Sequence, residues 1–234
     1  MANIKSHGGA EQGDVDAFLA RLRETPPPVP DSAARGRLVL ALDATMSRQH
    51  SWDTAQAIQG DMFAEAGRVG GLEMQLVYFR GFDECRASKW TGDTQSLARL
   101  MSGIRCMGGR TQIIRVLKHV RAEAAAGKVN ACVYVGDALE EPVDALAQVA
   151  GEIGLLGIPV FMFQEGRDGR AEEGFRDIAR LTRGAYFRFG HESGQVLREL
   201  LSAVAVYAAG GMKALSSHSA ERGGTAALLL RQMT

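Results

Sequence analysis

Three short segments hold the side chains best suited to chemistry. The first is Asp43-Ala-Thr45-Met-Ser47, which puts an oxygen-bearing side chain at every second position directly after an apolar run. The second is Gly108-Gly109-Arg110-Thr111, and the third is Gly136-Asp137, again directly behind an apolar run. Together they offer two carboxylates and three hydroxyls, with no thiolate or imidazole among them. Hard oxygen donors of this kind suit Mg²⁺, with Mn²⁺ or Ca²⁺ as substitutes. A set so poor in negative charge leaves waters on the ion and one position open to an outside ligand. The competing structural reading is that Asp43 and Ser47 cap one helix and Thr111 another, as such residues commonly do.

Those segments matter only if the fold brings them together, and the pattern around them is one of alternating strands and helices. Residues 37–42 read as a strand, and within them Leu38 to Leu42 are continuously apolar, the mark of a strand covered on both faces. Ala55, Ile58, Met62, Phe63 and Ala66 recur at helical spacing, and Gly70-Gly71 ends that helix. Residues 72–79 read as a second strand, and 82–90 as a short polar strand hairpinned to it at a sheet edge. Further helices are expected at 93–103, through Ile113 to Val120, at 142–154, at about 170–182 and from about 194. Further strands are expected at 129–135, 158–163 and 185–189. Such alternation predicts a doubly wound α/β fold with a mostly parallel central sheet and helices on both faces. Ligands of open α/β sheets sit beyond the carboxyl ends of the strands, where Asp43 and Asp137 fall.

The ordered set Asp43-x-Thr45-x-Ser47, Gly109-x-Thr111 and Asp137 resembles the metal-ion-dependent adhesion site of the von Willebrand factor type A domain. The resemblance covers roughly residues 37–208, including the hairpin-like edge near 80–90. It implies a Rossmann-like sheet with one antiparallel edge strand and a divalent cation, Mg²⁺ first, on its top face. Thr45, Ser47 and Thr111 would supply hydroxyl ligands, while Asp43 and Asp137 would bind the ion directly or through its waters. Two departures stand out: the first hydroxyl is usually serine and here is Thr45, and the glycine that often follows the last aspartate is here Ala138. Adhesion-type members recruit a ligand carboxylate to the open metal position. Intracellular relatives often work beside AAA+ ATPases or in chelatase-type assemblies. The implied function is therefore an intracellular binding module whose protein partner presents an Asp or Glu. The expected rim around the cation is Met46, His50, Met107 and Leu139, flexible or aromatic side chains suited to a protein contact.

The alternative is a metal-dependent hydrolase using the same Asp/Thr/Ser site. A phosphatase of the haloacid dehalogenase type needs a second aspartate two residues after the first, and that position holds Thr45. No phosphate-binding loop with Lys-Ser/Thr and no dinucleotide glycine fingerprint occurs. His50 is the one histidine near the set in sequence, and its ordinary role is that of a loop residue. No enzyme is expected.

The 234 residues suit one domain with appendages, and 46% hydrophobic content is enough for a substantial core. Residues 1–36 read as an arm with a short helix capped by Asp14 and a stiff Pro-rich stretch at 25–30. Residues 209–234 read as a helical tail, with packing against the domain as its expected fate. Lys plus Arg and Asp plus Glu both number 27, so net charge gives no argument for nucleic acid or an anionic membrane. No continuous apolar run nears the ~20 residues of a membrane span. No apolar segment follows Lys5 as in a signal peptide, and a cytoplasmic protein is expected. Cys85, Cys106 and Cys132 are scattered and suit neither a disulfide framework nor a thiolate metal site. Cys132 reads as a buried strand residue, and Cys106 as reactive only if exposed.

Overall fold

The computed structural model describes residues 35–45, 61, 62, 65, 71–190, 194–222 and 224–233. The expected arm helix and Pro-rich stretch lie outside the described residues, as do Met46, Ser47, His50 and most of the helix expected through Ala55 to Ala66. Six strands form one sheet: β1 (Gly36–Asp43), β2 (Leu72–Arg80), β3 (Glu84–Ala87), β4 (Ala131–Gly136), β5 (Val160–Glu165) and β6 (Tyr186–Phe189). Their spatial order is β3-β2-β1-β4-β5-β6, and every pairing is parallel except β2 with β3. The described helices are α1 (Thr94–Ser102), α2 (Ile113–Ala126), α3 (Val143–Leu155), α4 (Gly169–Leu181), α5 (Gly194–Arg222) and α6 (Gly224–Met233).

Side chains of a strand alternate between faces, so each strand feeds two cores. Leu38, Leu40 and Leu42 of β1 join Met74, Leu76, Val133, Val135, Phe161 and Phe163 under Leu97 of α1 and Leu200, Leu201 and Val204 of α5. Val39 and Ala41 instead join Val77, Phe79, Tyr134 and Met162 under α2, α3 and α4, through Val116, Leu117, Leu146, Val149 and Phe175. Burial on both faces explains why the central strands read as unbroken apolar runs. Cys132 is one of these buried residues, and desolvation pushes its thiol up to about 12. Cys106 is buried too, in the α5-side core.

Two expectations shift in register. β4 and β5 begin two residues later than the apolar runs do. Before β5 the cause is visible: Gly157 takes a left-handed turn (φ 71°), and the N–H groups of Leu156, Gly157 and Ile158 bond back to the last turn of α3. The apolar Ile158 thus belongs to a helix-ending turn.

The hairpin edge is held by charge. Glu84 accepts from Arg80 Nε at 2.8 Å, from Tyr78 Oη at 3.1 Å and from Arg86 Nε at 3.1 Å. The hydrogen bond from Arg80 chiefly, helped by Tyr78 and Arg86, lowers its carboxyl from 4.5 to about 2. A folded value below the unfolded one means the contribution is complete above about pH 4.5 and is lost as the pH falls toward 2. Amide exchange in residues 84–87 should therefore speed up in that acid window relative to β1. Glu84→Gln should exchange faster at neutral pH and lack the acid step; an unchanged profile would show that the cluster holds nothing.

At the C-terminal end, Gln195–Glu221 is long and apolar enough, by length and composition, to cross a membrane. In the structure α5 breaks at Gly211 (φ 68°) and lays Leu197, Leu200, Leu201, Val204 and Ala208 into the core. Ala226 and Leu229 of α6 enter the same core. The Gln232 side chain reaches edge strand β6, accepting from Tyr186 N–H at 2.9 Å and donating to Tyr186 C=O at 3.0 Å.

Candidate metal centre

β1 and β4 lie side by side, but the chain leaves them toward opposite halves of the sheet. β1 leads to β2 on one side, and β4 leads to β5 on the other. Their carboxyl ends therefore frame the topological switch point, the crevice in which this architecture binds ligands. Leu42 pairs with Val135, which sets Asp43 level with Gly136 and Asp137 one residue beyond. Two carboxylates are thus placed at that crevice by strand register alone.

Asp43 is only 3% exposed, at the last position of β1. Its Oδ1 accepts from Thr45 N–H at 2.8 Å, an Asx turn that folds the chain back over the strand end and buries Thr45 with it. The loop before α2 is tied to the same place. Met107 N–H donates to Ala44 C=O at 3.0 Å, and Arg110 N–H donates to Gly81 C=O at 3.0 Å. Gly109 permits the second contact: a Cβ at this position would stand 2.0 Å from the Gly81 carbonyl oxygen. Gln112, buried at the start of α2, donates its amide to the carbonyls of Arg80 and Glu84 at 3.3 Å. Arg80 closes the tie by donating to the Arg105 carbonyl at 2.7 Å.

Thr111 is buried beside this loop, and its contacts differ from the expected helix cap. The residue preceding α2 is Gln112, which makes no side-chain cap. The cap comes from the loop after β4 instead. Glu141 Oε1 accepts from Ile114 N–H at 3.1 Å, and Glu140 Oε2 accepts from Thr111 N–H at 2.8 Å. The Thr111 hydroxyl donates to Glu141 Oε2 and accepts from Glu140 N–H at 3.0 Å. Arg170 of α4 donates to the Glu141 carbonyl at 3.2 Å. Glu140 and Glu141 are functional candidates that sequence reasoning missed. Standing just before Pro142, they read as the usual acidic start of the next helix.

Asp43 and Asp137 stand at neighbouring strand ends, Thr45 is bonded to Asp43, and Thr111 lies in a loop bonded both to Ala44 after β1 and to Glu140 after β4. Ser47 lies outside the described residues, so the full set of five is not placed. Of the expected rim, Met46 and His50 are likewise outside them, and Met107 is 46% exposed. Leu139 is corrected: it is 3% exposed and packs on Gly174 of α4, where a Cβ would meet its Cδ1 at 2.2 Å. A leucine in a loop beside a site looked like a contact surface, whereas the mid-helix glycine opposite makes room for it in the core.

Among the described residues no three His, Cys, Asp or Glu side chains converge as a ligand cluster. A cation here would rest on two aspartates, hydroxyls and water. The residues present fit that demand: every donor is oxygen, and Asp43 is held in place by Thr45. Such a shell suits a hard divalent ion with retained waters.

No protein-family model matches the chain, and no curated protein matches it. Solved structures do. A von Willebrand factor type A protein from Catenulispora acidiphila aligns with TM-score 0.57 at 15% identity, over 75% of this chain and 43% of that one. The SpRpn10 VWA domain aligns with TM-score 0.54 at 12% identity, over 68% and 90%. Proximal thread matrix protein 1 from the mussel byssus, with a zinc-occupied MIDAS motif, aligns with TM-score 0.59 at 12% identity, over 76% and 47%. The chain thus spans under half the length of two of these three. At such identities the likeness speaks for architecture alone, and with the strand order it shows that this chain has a von Willebrand factor type A-like α/β fold.

Proposed function

We propose that the chain is a protein-interaction module that holds a divalent cation with Asp43, Thr45, Ser47, Thr111 and Asp137, and that its partner completes the shell with an Asp or Glu carboxylate. The observation that carries the reading is the pairing of β1 with β4, which brings Asp43 and Asp137 to the switch point beside a tethered Thr111. A zinc-occupied site of the same motif in proximal thread matrix protein 1 supports it. Mg²⁺ is the proposed ion, because it keeps several waters and needs few protein carboxylates. With much of the shell neutral, the ion retains positive charge, and a partner carboxylate replacing one water gains a charge-assisted bond. Exposed Met107 would add apolar area beside the ion. The proposal includes a binder without turnover, because the position two residues after Asp43 holds Thr45 where a phosphatase would need a second aspartate, and an intracellular setting beside an AAA+ ATPase or chelatase-type assembly.

The test is capture from a lysate of the source cells in Mg²⁺ and in chelator. A partner held in Mg²⁺, released by chelator and lost when its own contacting carboxylate is changed to the amide is the expected result. Equal retention in both buffers would sink the reading.

A further inference from the structure

The Thr111 hydroxyl has an unusual set of neighbours for a loop threonine. Its proton goes to the Glu141 carboxylate, and one lone pair takes Glu140 N–H at 3.0 Å. Only one lone pair is left, and the two hydrogen bonds fix where it points. A hydroxyl whose proton is held by a carboxylate also carries more negative charge on its oxygen, which makes it a better cation ligand. A second effect works in the same direction. Thr111 stands two residues ahead of α2, where the helix dipole presents roughly half a positive charge and repels a cation. Glu140 on Thr111 N–H and Glu141 on Ile114 N–H set carboxylates against that end.

From these contacts we infer that Glu141 is the positioning residue of the cation site, orienting and polarising Thr111, while Glu140 acts mainly by its charge. The inference rests on the proposed cation site and specifies how one of its ligands is prepared. Glu141 is itself held: its carbonyl accepts from Arg170 at 3.2 Å, so the carboxylate is delivered from a loop pinned to α4. Outer partners that orient a ligand commonly change metal affinity by roughly 10- to 100-fold when removed.

The experiment is titration with Mn²⁺, followed by calorimetry and by the electron paramagnetic resonance of free Mn²⁺, on the whole chain and three variants. Glu141→Gln keeps an oxygen for Ile114 N–H but cannot both do so and take the threonine proton. Glu141→Asp keeps the charge and falls one methylene short. Glu140→Gln removes a charge from the same loop without touching the hydroxyl's donor bond. Melting in chelator reports the fold of each. The expected result is that both Glu141 variants weaken Mn²⁺ by roughly 10-fold or more, and Glu140→Gln by only a few-fold, with melting in chelator little changed for the two Gln variants. Full affinity in either Glu141 variant overturns the inference. So does an equal loss in Glu140→Gln, which would leave charge alone as the cause. If the parent chain takes up no Mn²⁺ at millimolar concentration, the cation site itself is wrong and this role goes with it.

Discussion

Asp43→Ala should leave the metal-free protein about as stable as the parent and abolish its response to divalent cations. Two effects oppose each other in the metal-free state. The substitution removes the acceptor of Thr45 N–H, worth about 1–3 kcal/mol where the group is buried. It also relieves a carboxylate that is only 3% exposed, whose desolvation costs at least as much. With cation present nothing offsets the loss. A ligand that binds only the folded chain stabilises it by about 2.7 kcal/mol at 100-fold excess over its dissociation constant. For a chain of this size that is roughly 5–10 °C in melting temperature. The parent should show that rise in millimolar Mg²⁺ or Mn²⁺, and Asp43→Ala should show none. A parent indifferent to Mg²⁺, Mn²⁺ and Ca²⁺ alike, or a variant that keeps the rise, would refute the site.

The second large effect is expected at Gly109, where backbone meets backbone. An added methyl would stand 2.0 Å from the Gly81 carbonyl oxygen, and neither partner is a flexible side chain that can swing aside. Forcing extra volume into a packed contact costs about 1–3 kcal/mol, and backbone contacts belong at the upper end. The strain is relieved by lifting the 106–111 loop off the β2–β3 turn, which carries Thr111 away from Asp43. Gly109→Ala should therefore lower both stability and cation affinity. Gly36→Ala is the control: its Cβ would lie 2.2 Å from the Ala208 carbonyl oxygen, at the opposite end of β1. It should destabilise comparably and leave affinity unchanged in the folded fraction. If the two variants lose affinity equally, the Gly81–Gly109 contact does not position the site.

The strands were legible because the central ones are covered on both faces, and a continuous apolar run as short as residues 38–42 suits little besides a buried strand. The hairpin edge was legible for the opposite reason, since a short polar segment after an apolar strand suits an edge. Asp43 and Asp137 could be placed because a strand end is a local feature. The capping of α2 could not, because its carboxylates lie 27–30 residues away and meet it only after β4 has docked beside β1. The same distance hid Leu139, whose partner Gly174 sits on another helix. Local pattern thus located the candidate ligands, while the residues that contact them are tertiary and carry no local mark.

The side-chain amide of Gln232 offers Tyr186 the same donor and acceptor that a seventh strand would offer. An open sheet can grow sideways by recruiting a strand from another chain, and an unsatisfied edge is the template for it. At Tyr186 that template is already occupied, so sideways recruitment must first displace α6. Order of synthesis then acquires a cost. Residues 224–233 are synthesised after all the described strands, so until they emerge α6 cannot cover Tyr186. Until α6 docks, the backbone groups of Tyr186 are open to pairing with a strand of another copy.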